Sequence, residues 1–277
     1  KSQISDISSD PTFGIEDVVL NQDAFNYIVQ KELYNLNGQL EIYNSDSTVQ
    51  FPLQAMEVKV KWRQIANTAY SKARYHWQYI TVEDSGKVAT KLYGLVSLHI
   101  ISRITANWIW STFEHIDSRS QVHPGDDGWL LTSKDRFACD LAPYDCEKAP
   151  RNFGLEGTKW QYYRLRGTQS DYLDEKGDTS LLANSNVERG FQMSSSCITC
   201  HSLATIGPID STNQMQRINF LRSKMMEGTT IFGGRGYVGI PDSKLFELPN
   251  GKKMKRGDFV WSLMRANWLS PDSAAVQ

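Results

Sequence analysis

The sequence predicts an α+β protein in which an antiparallel, β-rich and sandwich-like region is followed by a smaller helical region. Five runs of strand-like composition fall within about 115 residues of the middle of the chain, and turn signals separate them. Beyond residue 168 the apolar residues instead recur at helical spacing, around a short cysteine motif. The 277 residues are enough for one large domain or for two unequal ones.

Two regions are expected along the chain. Residues 1–170 should hold an N-terminal helix and the β-rich domain, because apolar residues recur at roughly helical spacing from Ile15 to Leu36 and strand-like runs follow. The strand predictions cover residues 56–62, 77–82, 92–101, 107–115 and 159–165. Residues 171–277 should form the helical region, with helices predicted over 182–204, 213–226 and 258–268, the last capped by Asp258.

Charge and hydropathy exclude several classes of protein. Lys and Arg number 30 against 31 Asp and Glu, and this balance argues against a nucleic-acid-binding protein, which usually carries a basic excess. No run approaches the length of apolar sequence that a transmembrane helix needs, so no membrane span is predicted. The first residues lack the apolar stretch of a signal peptide.

Residues 197–201 read Cys-Ile-Thr-Cys-His, which is the most informative stretch of the chain. A Cys-x-x-Cys-His run is the attachment signature for c-type haem. The thiols of Cys197 and Cys200 would form thioether bonds to the porphyrin, and His201 would become the axial ligand of the iron. Because the motif occurs once, we expect one covalently bound haem c.

Three other interpretations of the motif stay open. A zinc site could combine the two thiolates with those of Cys139 and Cys146, although that pair is more widely spaced than in a zinc knuckle. A redox-active dithiol would also use Cys-x-x-Cys, but it belongs at a strand-to-helix junction of a βαβ unit. Five residues can also match a motif by chance.

With this motif the chain resembles the c-type cytochromes. The segments Trp108–His115 and Gly167–Gln169, taken with the motif, are similar to a group of larger bacterial mono-haem proteins with an N-terminal β-rich region. The resemblance implies a mono-haem cytochrome of the periplasm or the extracellular surface, whose signal peptide has already been removed. It also implies electron transfer with a redox partner protein, and it is compatible with a homo-oligomer or a complex with other cytochromes.

The location that the resemblance implies bears on the two remaining cysteines. Cys139 and Cys146 are left as one pair in a loop-like stretch, and an oxidising compartment would let them form a structural disulfide. Two free thiols are the alternative.

The sixth ligand of the iron decides between two functions, because two strong protein ligands favour electron transfer whereas an open position favours catalysis or sensing. The non-motif histidines are His76, His99, His115 and His123, of which the main candidates are His99, within an apolar run, and His115, after Glu114 in an aromatic run. Methionines that follow the motif are the other candidates: Met215, Met225, Met226, Met254 and Met264. The alternative function is a haem c enzyme or small-ligand sensor, for peroxide, nitric oxide or hydroxylamine-type chemistry, with Arg103 beside His99 or the pair Glu114–His115 as distal groups.

Overall fold

The computed structural model describes residues 14–84, 86–120, 154–188, 194–218 and 238–269. Within these ranges the chain is a mixed α+β protein dominated by antiparallel sheet, so the predicted fold class is confirmed. The cysteines of the predicted disulfide, Cys139 and Cys146, lie outside the described ranges, and their pairing stays a prediction.

Six described strands form one sheet and two short ones form a second. The strands are β1 (Ile15–Leu20), β2 (Met56–Gln64), β3 (Trp77–Asp84), β4 (Lys87–Ser102), β5 (Ile109–His115), β6 (Tyr163–Gln169), β7 (Thr205–Ile206) and β8 (Lys255–Arg256). The order in the large sheet is β1-β2-β4-β5-β6, with β3 paired to β4 as well, and every pairing is antiparallel. Four of the five strand predictions fall on β2 to β5, whereas the prediction 159–165 only overlaps β6, because Lys159–Tyr162 form a 3₁₀ helix.

Strand β4 organises the sheet because it is long enough to pair with three neighbours. Its first half pairs with β3 and its second half with β2 on one edge and β5 on the other. In this register His99 of β4 lies opposite Lys59 of β2 and Thr112 of β5. Those three residues share one face of the sheet, since side chains that are paired across strands point the same way.

The N-terminal helix prediction is partly wrong. Residues 15–20 form the edge strand β1, and the helices α1 (Gln22–Gln30) and α2 (Leu36–Asn44) follow it. Each helix begins after an asparagine whose side chain accepts a backbone N–H: Asn21 caps α1 and Asn35 caps α2. A third helix, α3 (Ala69–Arg74), lies between β2 and β3.

Where they are described, the segments predicted to be helical after residue 170 are mostly not α-helical. Among the described residues of the segment 182–204, only α4 (Cys197–His201) is α-helical. Of the helix predicted over 213–226, residues 213–218 are not helical, and residues 219–226 lie outside the described ranges. The segment 258–268 holds the 3₁₀ helix Trp261–Arg265, whose N-cap position is Val260, so Asp258 does not cap it. Hydrogen bonds to distant segments, such as those of Gln169 with Ser196 and Ile198, fix the described loops here and outweigh the helical spacing of the apolar residues.

One large hydrophobic cluster joins the two predicted regions. It contains Trp108 and Trp110 from the first region and Ile198 and Leu263 from the second, together with residues of α1 and α2. The boundary near residue 170 stays a prediction, but the packing shows that residues from both sides of it share a core. None of the helices in the described ranges has the length and apolar character needed to cross a membrane.

Candidate functional site

The motif forms the helix α4, and neighbouring side chains hold both of its ends. At its start Ser196 accepts the backbone N–H of Thr199, and the buried side chain of Gln169 accepts the N–H of Ile198 at 3.1 Å. The Gln169 amide also donates to the Ser196 hydroxyl at 2.7 Å. An isolated helix of five residues is unstable in water. The last residue of β6 therefore helps to fix the position of the motif.

The small sheet brings a distant loop against the other end of α4. Strand β7 follows the helix and pairs with β8, which leads directly into residues 257–260. The backbone N–H of Gly257 donates to the carbonyl of Ala204 at 2.7 Å, and the indole N–H of Trp261 donates to the carbonyl of Cys200 at 3.1 Å. Asp258 and Phe259 both have left-handed backbone, with φ of 49° and 68°. Such a conformation costs about 1–2 kcal/mol for each non-glycine residue.

This strained loop orients the side chain of His201. Nδ1–H of His201 donates to the carbonyl of Phe259 at 2.8 Å, and the imidazole lies 4.5 Å from the Trp110 ring, centroid to centroid. Burial lowers the pKa of His201 to about 4, although the bond to Phe259 opposes the shift. The ring is therefore neutral at physiological pH. A histidine whose Nδ1–H binds a carbonyl keeps the lone pair of Nε2 available for a metal.

The two thiols of the motif are unbridged and have little reactivity as a dithiol. Cys197 is buried and donates to the carbonyl of Leu182 at 3.3 Å, whereas Cys200 is half-buried. Burial, followed by the charge of Glu188, raises the pKa of Cys197 well above its usual value and that of Cys200 to about 12. A redox-active dithiol requires the opposite shift. The donor set of two protonated thiols and one oriented imidazole fits covalent haem c.

The sheet face on the side of α4 is unusual because its buried residues are largely polar. Register and alternation place Glu57, Lys59 and Lys61 of β2 on this face, together with Ser97 and His99 of β4 and Thr112 and Glu114 of β5. We call these seven residues the polar face. Most of them are less than 9% exposed, and Lys59 is half-buried.

The segment before the motif supplies hydrogen-bond partners for this polar face. Asn184 donates to the Thr112 hydroxyl at 2.8 Å. Glu114 accepts from the backbone N–H and the hydroxyl of Ser185 at 2.6 and 2.7 Å, and it forms an ion pair with the fully buried Arg166 at 3.4 Å. Buried charges persist only when they are paired or serve a function. These contacts account for one part of the polar face.

The other part of the polar face lies next to the motif. Lys59 and Lys61 form ion pairs with Glu16 of β1 at 3.0 and 3.3 Å. Burial first, and then the charges of Lys59 and His201, lower the pKa of His99 to about 3. His99 is thus a neutral imidazole on the same sheet face as Trp110, whose ring packs against that of His201. Its Nε2 lies 3.3 Å from the hydroxyl of Ser97.

Glu188 is an ionisable group near the thiols that the sequence did not indicate. Its carboxylate accepts the backbone N–H of Asn184 at 2.7 Å. Burial raises its pKa to about 7, against the opposing effect of Lys59. A carboxyl group with this pKa exchanges its proton near neutral pH.

The structure does not bring His115 to the motif. Strand alternation turns it to the face opposite Glu114, where its ring stacks on Tyr75 at 3.7 Å and meets Tyr163 edge-on at 5.1 Å. Its Nδ1 accepts the backbone N–H of Asp117 at 3.2 Å. The Glu114–His115 pair therefore points to two sides of the sheet, and the two residues do not form one distal group.

Arg103 is not placed as a partner of His99. Strand β4 ends at Ser102, so the continuous strand that would align the two residues stops before Arg103. Its guanidinium instead pairs with Asp258 at 3.3 Å and donates to the carbonyl of Thr105 at 3.2 Å.

The methionine candidates have other surroundings where they are described. Met215 is buried in the large hydrophobic cluster, and the sulfur of Met264 lies 3.1 Å from a guanidinium nitrogen of Arg217. Met254 is half-buried, and its backbone N–H donates to the carbonyl of Phe246. Met225 and Met226 lie outside the described ranges.

Sequence reasoning missed two further contributors to the site, Gln169 and the carbonyl of Phe259. Gln169 is the last residue of the segment Gly167–Gln169, which resembles the larger mono-haem proteins, but nothing in its spacing from the motif indicated a contact. A backbone carbonyl leaves no signal at all, because every residue has one.

Comparison with known proteins adds no family assignment: the chain matches no family model, no curated protein and no solved structure. Within the described part of the chain, no three or more His, Cys, Asp or Glu residues are grouped so that they could hold a metal ion by themselves.

Proposed function

We propose that this protein is a mono-haem c-type cytochrome that transfers electrons, with Cys197 and Cys200 as the thioether partners and His201 as one axial ligand. We further propose His99 as the sixth ligand. The observation that carries the proposal is the placement of His99 on the sheet face whose Trp110 packs against His201 of the motif helix, together with the lowered pKa of both imidazoles. When bound, haem c would supply one-electron chemistry at its iron.

The residues of this chain have distinct roles in the proposal. The two cysteines tether the group, and the carbonyl of Phe259 holds His201 in one tautomer with Nε2 directed to bind. Burial keeps His99 neutral, which makes its nitrogen lone pair available. Two imidazole ligands would leave no open position for small molecules.

The setting of this function is also part of the proposal. A covalent haem of this type implies a periplasmic or extracellular-surface location and a redox partner protein. The pairing of Cys139 with Cys146 in a disulfide belongs to the same setting.

Glu188 favours a second candidate function, a haem c enzyme or sensor with an open sixth position. A carboxyl group with a pKa of about 7, close enough to the thiols to affect their pKa, could exchange a proton with a bound small molecule. In this case His99 would line the site without binding the iron.

Optical spectra of the protein matured with a haem c export system distinguish these functions. We expect haem that stays bound under denaturing conditions, and sharp α and β bands of the reduced protein that carbon monoxide does not change. The variant His99→Ala should keep covalent haem but become high-spin and bind carbon monoxide. His76→Ala is the matched control, because His76 packs on Trp160, and its spectrum should equal that of the wild type.

Each other result has a defined meaning. A wild-type protein that is high-spin and binds carbon monoxide would favour the enzyme or sensor over the electron carrier. A low-spin His99→Ala protein would show that another residue is the sixth ligand. If no covalent haem is attached to the exported protein, both functions are wrong.

A further inference from the structure

A cavity of about 260 Å³ lies beside α4, on the side of the loop 257–260. Strand β8 and the segment 48–50 form two of its walls, and Ser202, which directly follows His201, forms part of a third. Its polar lining residues are Thr48, Gln50, Arg103, Ser202, Arg256 and Asp258. This volume is near the lower limit of small-molecule sites in proteins, so it suits a ligand of few atoms.

The carboxylate of Asp258, which lines this cavity, already accepts hydrogen bonds from other residues. Asp258 accepts from the backbone N–H of Phe51 at 2.7 Å, from Nε of Arg103 at 3.3 Å and from the indole N–H of Trp108 at 3.3 Å. These three donors engage both of its oxygens. Arg103 is only 6% exposed, and its Nη1 donates to the carbonyl of Thr105. Within the described ranges, its Nη2 makes no hydrogen bond.

The second guanidinium of the cavity has no carboxylate partner among the described residues. Arg256 is exposed and stacks over the ring of Phe246, with 4.4 Å between its central carbon and the ring centroid. Stacking holds a guanidinium plane in place and leaves its N–H edges free. The lining thus carries two guanidinium groups against one carboxylate, and that carboxylate is already committed to other donors.

We propose that this cavity binds a small oxyanion of the carboxylate, phosphate or sulfate class, held by Arg256 and Arg103. Planar guanidinium groups match the geometry of such oxyanions and form charge-assisted hydrogen bonds with them. The hydroxyl of Thr48 and the amide of Gln50 supply further donors at the mouth. The oxyanion is either a free solute or, if the proposed function holds, a carboxylate of the haem itself.

The position of the cavity links it to the axial ligand. The cavity is lined by Phe259, whose carbonyl accepts from Nδ1 of His201, and by Asp258, the residue before it. An anion bound here therefore lies beside the residues that hold His201 in place. By linkage, an anion that binds the oxidised protein more tightly lowers the reduction potential.

Isothermal titration of the holoprotein with inorganic phosphate, sulfate and acetate, at constant ionic strength, tests the binding. We expect saturable binding of at least one of these anions, and Arg256→Gln should weaken it by about tenfold or more through the loss of charge-assisted hydrogen bonds. Lys253→Gln is the matched control, because it removes one nearby positive charge from an exposed residue that does not line the cavity. This control should bind as the wild type does.

A second measurement distinguishes the source of the oxyanion. If no added anion binds but Arg256→Gln changes the pH dependence of the reduction potential while Lys253→Gln does not, the carboxylate is that of the haem. Saturable binding that Arg256→Gln leaves unchanged would place the anion elsewhere and overturn the proposal. No binding together with an unchanged potential would also overturn it. The absorption spectrum of the same sample reports whether haem is attached, so failure of the haem proposal can be distinguished from failure of the anion site, which the binding titration tests without requiring haem.

Discussion

At the scale of single residues, Glu57 shows how burial on the polar face alters an ordinary side chain. It is 4% exposed, and its Oε2 has no hydrogen-bond partner in the described structure. Burial raises its pKa from 4.5 to about 7, although Lys59 and Ser262 oppose the shift. The folded protein therefore keeps a proton on Glu57 at pH values where the unfolded chain has lost it.

This difference predicts a pH dependence of stability. Below pH 4.5, which is the pKa of Glu57 in the unfolded chain, the carboxyl group is protonated in both states, so its burial carries no charge penalty. As the pH rises from there to about 7, the unfolded state loses its proton first, so the free energy of unfolding falls by about 3 kcal/mol in total. Glu57→Gln should remove this fall and be the more stable protein at about pH 8.

Urea unfolding of both proteins at about pH 5 and about pH 8 measures the effect. Glu83→Gln is the control, since Glu83 is exposed on β3 and should keep the wild-type dependence. If Glu57→Gln and the wild type lose the same stability between the two pH values, the carboxyl of Glu57 is not protonated in the folded protein.

Residue-scale prediction relied on residues that are adjacent in the sequence, and the roles that it assigns to them stay proposals. Cys197, Cys200 and His201 were identified from five consecutive letters, and His99 from its place in an apolar run. The same reasoning ranked His115 beside His99. A count along strand β5 cannot tell which face of the sheet will be covered, so His115 and His99 could not be separated.

At the scale of elements, the motif helix depends on a residue from another strand. Gln169→Leu removes an acceptor from the N–H of Ile198 and a donor to the hydroxyl of Ser196, both of them buried. An unsatisfied buried polar group costs about 1–3 kcal/mol, so we expect a loss of about 3 kcal/mol in the free energy of unfolding.

Chemical denaturation measured by tryptophan fluorescence checks this loss. Gln78→Leu is the matched control, because Gln78 is an exposed residue of β3 and its replacement should change stability by less than about 0.5 kcal/mol. A Gln169→Leu protein as stable as the control would mean that α4 does not depend on β6.

The sequence predicted strand β2 but not which of its residues are buried. Its alternation of apolar and charged residues predicted a half-buried strand, and the strand is present. The usual expectation is that the charged residues of such a strand face solvent. Here the charged residues Glu57 and Lys61 are buried, whereas the apolar Val58 and Val60 on the other face are half-buried. Segments distant in sequence cover this face: Asn184 and Ser185 bond to Thr112 and Glu114, and Glu57 lies beside His201, Phe259 and Val260.

At the scale of the whole molecule, the shared core predicts that the two regions fold together. Ile101, Trp108 and Trp110 lose their packing partners Ile198 and Leu263 in a chain that ends at residue 170. Such a fragment would expose a large apolar area, and each Å² that is no longer buried lowers the free energy of unfolding by about 25 cal/mol. We therefore expect residues 1–170 alone to show no cooperative thermal unfolding.

Circular dichroism of this fragment during heating tests the expectation. A chain of residues 1–269 serves as the control, because it keeps the described part of the core and should unfold cooperatively like the full chain. Cooperative unfolding of residues 1–170 would instead establish them as an independent domain.

The sequence by itself determined the fold class and the positions of the central strands, and it identified the Cys-x-x-Cys-His motif on which the haem proposal rests. Each of these is local, because strand composition and motif spacing are properties of neighbouring residues. The tertiary structure alone decided that a polar sheet face is buried, that His99 and not His115 lies on it, and that the carbonyl of Phe259 orients His201. These features arise from contacts between segments far apart in the chain, and such contacts leave no periodic pattern in either segment.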